Sequence, residues 1–235
     1  MKHDVVYILK SDTGAEELRY SLRSVQKNFP HGRVWFFCGC PDGITPDRYV
    51  PFEQTGHNKW TKSTSTIREI CTTDEVSDNF WLFNDDFFIL RKVTDVPYMI
   101  RGLLSERVND IHEKHGISAY ANQLYGTKKL LSGYGYGTLD YALHVPMLIN
   151  KQKAFEVLEA FPGCSMFRSL YGNYWEVGGV KAEDVKIIGL DELPKETQTF
   201  LSTSDKSFKN GKVGEYIRKR FTEPSRWEKN NAESL

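Results

Sequence analysis

Apolar positions change period several times along this chain, and each change marks an element. Asp4-Val5-Val6-Tyr7-Ile8-Leu9 is a short β-branched and aromatic run, bounded by the turn formers Ser11-Asp12-Thr13-Gly14, and predicts a buried parallel strand. From Glu16 the spacing turns helical through Leu18, Leu22, Val25 and Phe29, and Pro30-His31-Gly32 ends it. Val34-Trp35-Phe36-Phe37-Cys38 then resumes as strand, completing a β-α-β unit. Residues 41–58 carry Pro, Gly and Asp punctuation and read as loop around a short strand at Tyr49 to Phe52. Ser63-Thr64-Ser65-Thr66 offers N-cap hydroxyls before a helix bearing Ile67, Ile70 and Cys71, and the apolar strand Phe80-Trp81-Leu82-Phe83 stops at Asn84.

Two successive β-α-β units predict an α/β fold with a mainly parallel sheet flanked by helices. Ligands of such sheets sit beyond the carboxyl ends of the strands, where Asn84, Asp85 and Asp86 fall. Further on, Met99 to His115 reads as helix, and Gly133-Tyr134-Gly135-Tyr136-Gly137-Thr138 as a flexible aromatic loop able to cover a substrate. Lys151 to Phe161 is helical up to Pro162-Gly163, Leu201 to Lys206 is a strand end, and Val213 to Phe221 is a basic amphipathic helix before a polar tail.

Composition narrows the function classes. With 235 residues, 40% of them apolar and 13% aromatic, the chain can bury one full core, so a single domain is expected. Lys plus Arg and Asp plus Glu both number 31, so no whole-molecule field draws the protein to duplex nucleic acid or an anionic membrane. Phosphate recognition must be local. The four cysteines show no zinc spacing, and Cys38-Gly39-Cys40 reads as a strand end entering a turn. No leader or run of about 18 apolar residues is present, so a soluble cytoplasmic protein is expected.

Asp85 and Asp86 are the first candidate chemistry. Adjacent carboxylates after a buried strand repel one another unless a positive group stands between them, and oxygen ligands favour Mg²⁺ or Mn²⁺. Asn-Asp-Asp is equally good turn chemistry, and the residues alone leave both readings open. His144 is either a hydrogen-bonded, half-buried histidine or a general base. Arg168, among apolar neighbours, either pairs with a carboxylate at the core edge or clamps a phosphate. Arg23, Lys59, Lys62 and Arg68 read first as solvated helix faces.

Taken in order, these blocks resemble the Stealth family of sugar-phosphate transferases, which includes bacterial capsule polymerases and the animal enzyme that phosphorylates lysosomal mannose glycans. Glu17 to Val25, followed by Phe80-Trp81-Leu82-Phe83-Asn84-Asp85-Asp86-Phe87-Phe88, resembles the second conserved region. His144-Val145-Pro146 with Phe161-Pro162 to Phe167-Arg168-Ser169 resembles the third, Phe200 to Asp205 with Glu223 to Glu228 the fourth, and Asp4-Val5-Val6-Tyr7 the first. Two departures stand out. Ile8-Leu9-Lys10-Ser11-Asp12 replaces the tryptophan and Asn- or Asp-Gly turn of the first region, and Arg68 follows Thr66-Ile67 where the family has a glutamate.

The resemblance implies a GT-A-like fold in one catalytic domain, with a nucleotide-sugar-binding half over 1–95, an acceptor and catalytic half over 96–228, and a tail over 229–235. It implies transfer of sugar-1-phosphate from a UDP-sugar to a glycan hydroxyl, with UMP released. Asp85, Asp86 and Asp205 would hold the divalent metal, and Asp86, His144 and Arg168 would carry the catalysis. Asp4, Arg23, Arg68 and Asn84 would contact the donor. Rival readings are a glycosyltransferase releasing UDP, whose acceptor is a glycan, lipid-linked sugar or hydroxylated nucleobase, and a catalytically silent sugar- or nucleotide-binding module.

Overall fold

In chain order the elements are β1 (Asp4–Leu9), α1 (Ala15–Asn28), β2 (Val34–Cys38), β3 (Arg48–Val50), α2 (Lys59–Thr72), β4 (Asn79–Phe83), β5 (Phe87–Ile89), β6 (Met99–Ile100) and α3 (Leu104–His115). There follow α4 (Ala119–Gly133), β7 (Met147–Asn150), α5 (Lys151–Ala160), α6 (Phe167–Tyr174), β8 (Val180–Lys181), β9 (Lys186–Ile187), β10 (Phe200–Thr203), α7 (Asp205–Asn210) and α8 (Lys212–Arg220). The computed structural model describes residues 2–10 and 14–229. Of the turn expected at Ser11 to Gly14, the first three residues lie outside the described residues, as does the tail beyond Lys229.

The central sheet runs β3-β2-β1-β4-β7, parallel throughout except for β7, which is antiparallel to β4. Side chains of β1 alternate between its faces: Val6 joins a core with α2 to α6, whereas Val5, Tyr7 and Leu9 join one with α1 and Trp227. Both faces are therefore covered, which is why β1, β2 and β4 are continuously apolar. A second sheet, β5-β10-β9, is covered by α7 and α8 through Phe88, Leu201, Phe208, Val213 and Ile217. Among the described residues no helix is long and apolar enough to cross a membrane, and all four cysteines are free thiols.

Local structure departs from expectation in four places. The serines and threonines at 63–66 lie inside α2, which begins earlier: Asn58 caps it by accepting from Trp60 N and Thr61 N at 3.0 Å. The hydroxyls of Thr64 and Thr66 instead donate to carbonyls one turn back. Met99 and Ile100 are strand paired to β8, because Gly102, at φ +150°, separates them from α3. The Gly133–Thr138 segment is pinned rather than free, with Tyr134 and Tyr136 packed against Phe161 at 5.6 and 6.2 Å between ring centroids. Asp205 and Lys206 belong to the first turn of α7, β10 having ended at Thr203.

Candidate active site

The turn Asn84-Asp85-Asp86 joins β4 to β5, and three buried polar side chains of α1 hold its outgoing strand. Ser21 Oγ donates to Phe87 O at 2.5 Å, Ile89 N donates to Ser24 Oγ at 2.9 Å, and Asn28 Nδ2 donates to Ile89 O at 2.7 Å. Spaced three and four residues apart, these groups lie along one face of the helix and satisfy a backbone that the main sheet leaves unpaired.

Asp86 turns inward. Its Oδ2 accepts from Lys186 Nζ at 2.8 Å and from Ser202 Oγ at 2.9 Å, while its Oδ1 is buried with no hydrogen-bond partner among the described residues. Glu17, in the first turn of α1, accepts from Thr203 Oγ1. Burial, with added repulsion from Asp86, Asp85 and Asp205, pushes the Glu17 carboxyl up to about 8. Burial and then Asp86 push Asp85 up to about 6, although Lys10 draws it back. Four carboxylates from α1, the β4–β5 turn and α7 thus share one field that Lys186 only partly neutralises.

His144 and Arg168 both meet the ring of Phe87, the residue after Asp86. The imidazole packs edge-on at 6.4 Å between centroids, and Arg168 Cζ lies 5.5 Å from the Phe87 centroid. His144 Nδ1 lies 3.0 Å from both oxygens of Asp184, and the His144 backbone N–H donates to the same carboxylate at 3.2 Å. Arg101 Nη2 completes that cluster at 2.5 Å. Burial would raise Asp184, but the hydrogen bond and charge of His144 and the charge of Arg101 hold it well below the usual carboxylate range. Arg168, in the first turn of α6, donates to Val145 O at 2.5 Å and Leu143 O at 3.3 Å. Burial lowers its guanidinium to about 10 against the pull of Asp86 and Asp184. It is a desolvated cation held by neutral carbonyls, with charge left to offer a ligand.

Asn84 and Arg168 line a cleft of about 160 Å³ beyond the carboxyl ends of β1 and β4, together with Ile8, Trp60 and Leu82. His144, Asp184 and Lys186 instead line a separate groove, described below.

Three expected donor contacts lie elsewhere. Asp4 is at the amino end of β1, paired with Phe80 in register, at the opposite end of the sheet from Asn84. Its buried carboxylate accepts from Arg33 N, Trp35 Nε1 and Ser77 N at 2.9, 2.9 and 3.1 Å. It is a structural knot: Asp4→Ala leaves buried donors unsatisfied and should cost about 2–4 kcal/mol in denaturant unfolding, with turnover unchanged. Arg23 is consumed by a bidentate pair with Glu228, at 2.8 and 2.6 Å, and by Phe221 O, which fasten the segment carrying buried Trp227 onto α1. Arg68 pairs with Glu159 and with Leu158 O, tying α2 to α5.

The three aspartates expected to hold a metal are close in field but not arranged as a closed ligand set. Among the described residues no group of three or more His, Cys, Asp or Glu side chains is gathered to hold an ion, so Asp85, Asp86 and Asp205 are not a preformed cage. Lys186 and Ser202 take one Asp86 oxygen, and Asp205 stands exposed on α7.

Sequence reasoning missed Glu17, Asp184 and Lys186. Glu17 had a signal, a carboxylate one residue before the apolar stripe of α1. Asp184 and Lys186 had none, since Lys181-Ala182-Glu183-Asp184-Val185-Lys186 has the composition of a solvated loop.

No protein-family model matches the chain, and no curated protein sequence matches it. Among solved structures, it is similar to the galactosyltransferase LgtC in complex with donor and acceptor sugar analogues, at 12% identity and TM-score 0.41 over 79% of this chain and 75% of that one. It is similar to the apo form of the glycosyltransferase GlyE of Streptococcus pneumoniae TIGR4, at 13% identity and TM-score 0.45 over 95% of this chain but 61% of GlyE. A third likeness is to 4-diphosphocytidyl-2C-methyl-D-erythritol synthase, at 10% identity and TM-score 0.38 over 78% of this chain and 90% of that one. Likenesses this distant concern the path of the chain and say nothing of its chemistry.

Proposed function

We propose that this chain is a GT-A-like transferase that takes a UDP-sugar and passes sugar-1-phosphate to a hydroxyl on a glycan, releasing UMP. One observation carries the reading: the Asp184-held imidazole of His144 and the desolvated guanidinium of Arg168 both pack on Phe87, directly after Asp86.

With Nδ1–H donated to Asp184, His144 presents Nε2 as a base for the acceptor hydroxyl. The hydroxyl proton passes to Nε2 as the oxygen bonds to the phosphorus that bears the sugar. The bond from that phosphorus to the oxygen bridging to UMP breaks, and its electron pair leaves with UMP. Arg168 stabilises the charge spread over the phosphoryl oxygens, and the cleft beside Asn84 and Trp60 receives the nucleotide. Arg68, whose charge departs from the family pattern, is occupied on the α2–α5 contact and takes no part in the proposed step.

The residues present fit a divalent ion. Among the described residues Asp86 Oδ1 is buried without a partner, and Asp85 and Glu17 are raised first by burial and then by neighbouring negative charge, the part a cation would relieve. Asp86 and Asp85 would hold Mg²⁺ or Mn²⁺, with Asp205 in the outer field and donor phosphates completing the set, the usual arrangement for Mg²⁺. When bound, the ion neutralises the diphosphate.

Incubation with UDP-sugars, Mg²⁺ or Mn²⁺ and glycan acceptors should release UMP. Release of UDP would replace this mechanism with glycosyl transfer, and binding without any released nucleotide would make the chain a silent module.

A further inference from the structure

The groove beginning at His144 has a volume of about 830 Å³ and runs between α3 and the β8–β9 segment. Its lining is strongly cationic for a protein with no net charge: Arg101, Arg107, Lys114, Lys181 and Lys186 face Asp110, Glu183 and Asp184. Two of these carboxylates already have cations, Asp184 from Arg101 and Glu183 from Lys195 outside the lining set. Lys186 is spent on Asp86. Lys114 and Lys181 make no ion pair among the described residues, and Arg107 makes none there either, although its charge acts on the buried Asp140 carboxylate, which Arg101 also faces at 4.0 Å. Arg107 and Lys114 stand two turns apart on α3, hence on one face, while Lys181 comes from β8.

We infer that this groove is an acceptor subsite for an anionic saccharide, one whose phosphate or carboxylate is held by Arg107, Lys114 and Lys181 while its hydroxyl reaches His144. The inference rests on the transferase reading and adds the chemical class of acceptor. The cleft lined by Asn84 and Arg168 shares no lining residue with the groove, so donor and acceptor would approach the reacting centre from different pockets. Arg and Lys side chains at a groove wall that make no ion pair there are suited to a ligand oxyanion, Arg through its planar fork and Lys as a point charge. Asp110 and Glu183 interrupt the positive surface. That pattern suits an isolated charge on a saccharide better than the continuous phosphate rail of a nucleic acid.

Binding without donor tests this separately from turnover. Calorimetry is run with four probes of similar length: a neutral chitin tetrasaccharide, a hyaluronan tetrasaccharide carrying carboxylates, a phosphodiester-linked mannose oligosaccharide, and a single-stranded oligonucleotide. One or both anionic saccharides should bind about tenfold or more tightly than the neutral one, and the tighter of the two identifies the anion. Lys114→Glu with Lys181→Glu, both exposed and on separate elements, should abolish that preference with an unchanged melting temperature. Arg107→Gln should weaken it in the same direction.

Equal binding of the neutral saccharide, an unchanged preference in the double variant, or tightest binding by the oligonucleotide would each overturn the inference. A chain that binds the anionic saccharide through these residues yet releases no nucleotide would keep the subsite and lose the transferase reading. UMP release with no preference for anionic saccharides would do the reverse.

Discussion

His144→Ala should lower turnover by about 10²–10⁴-fold, the span that removal of a positioned general base produces, while the melting temperature stays near that of the parent. The imidazole is half-buried and touches Phe87 only by its edge, so its loss leaves little cavity, and the kinetic effect separates from stability. Asp184→Asn sharpens the test. The amide keeps the size of the carboxylate but can donate to Nδ1 and favour the wrong tautomer, so turnover should fall by a comparable factor while donor affinity holds. Because Arg101 also loses its partner, melting temperature must be measured alongside. Full activity in His144→Ala would remove the base from the mechanism, and an equal loss of donor affinity would make His144 a binding group instead.

The second large effect lies in the carboxylate field, and it reverses the usual acid lability of proteins. Glu17 rises from an ordinary 4.5 to about 8 and Asp85 from 3.8 to about 6, so between those limits the folded chain holds more protons than the unfolded one. In metal-free buffer their stabilising contribution is complete below about pH 4 and is lost as pH climbs toward 8. Because the two carboxyls share one field, with Asp85 adding to the rise of Glu17, the loss is smaller than the sum of the two shifts, on the order of a few kcal/mol. Urea midpoints measured from pH 5 to 8.5 should show it, and Glu17→Gln should flatten most of the slope. Mg²⁺ or Mn²⁺ should restore stability at pH 8 far more than at pH 5, because the cation competes with the protons for the same oxygens. Asp86→Asn should abolish that restoration. A metal effect independent of pH, or one that survives in Asp86→Asn, would place the ion elsewhere.

Much of the scaffold was legible from residue order. The runs at Asp4–Leu9, Val34–Cys38 and Phe80–Phe83 are unbroken because both sheet faces are covered, so their apolarity announced parallel strands before any contact was known. The turn at Asn84-Asp85-Asp86 followed from where the third run stops. The start of α2 was misplaced because a cluster of hydroxyls imitates an N-cap, when the side chain that accepts the orphaned N–H groups is Asn58. Tyr134 and Tyr136 looked like parts of a loose cover because aromatic side chains among glycines do not show which distant ring, here Phe161, they will meet.

Charged residues were the least readable. Asp4, Arg23 and Arg68 lie in or beside blocks that resemble catalytic motifs, yet each is spent on architecture: Asp4 on the N–H groups of Arg33, Trp35 and Ser77, Arg23 on Glu228, and Arg68 on Glu159. A carboxylate or guanidinium looks the same in a sequence whether it awaits a ligand or holds two elements together, since its role depends on partners up to 205 positions away, as for Arg23 and Glu228.

Residue order alone establishes the alternating elements, the parallel sheet and the position of Asp85 and Asp86 beyond a strand end, because hydrophobic period and turn chemistry are local properties. Long-range folding is what brings Glu17 and Asp205 into the field of those two aspartates, sets Asp184 against His144 and places Lys186 on Asp86. Burial and charge proximity, which shift a pKa or leave an oxygen without a partner, are properties of the folded neighbourhood and have no fixed spacing along the chain.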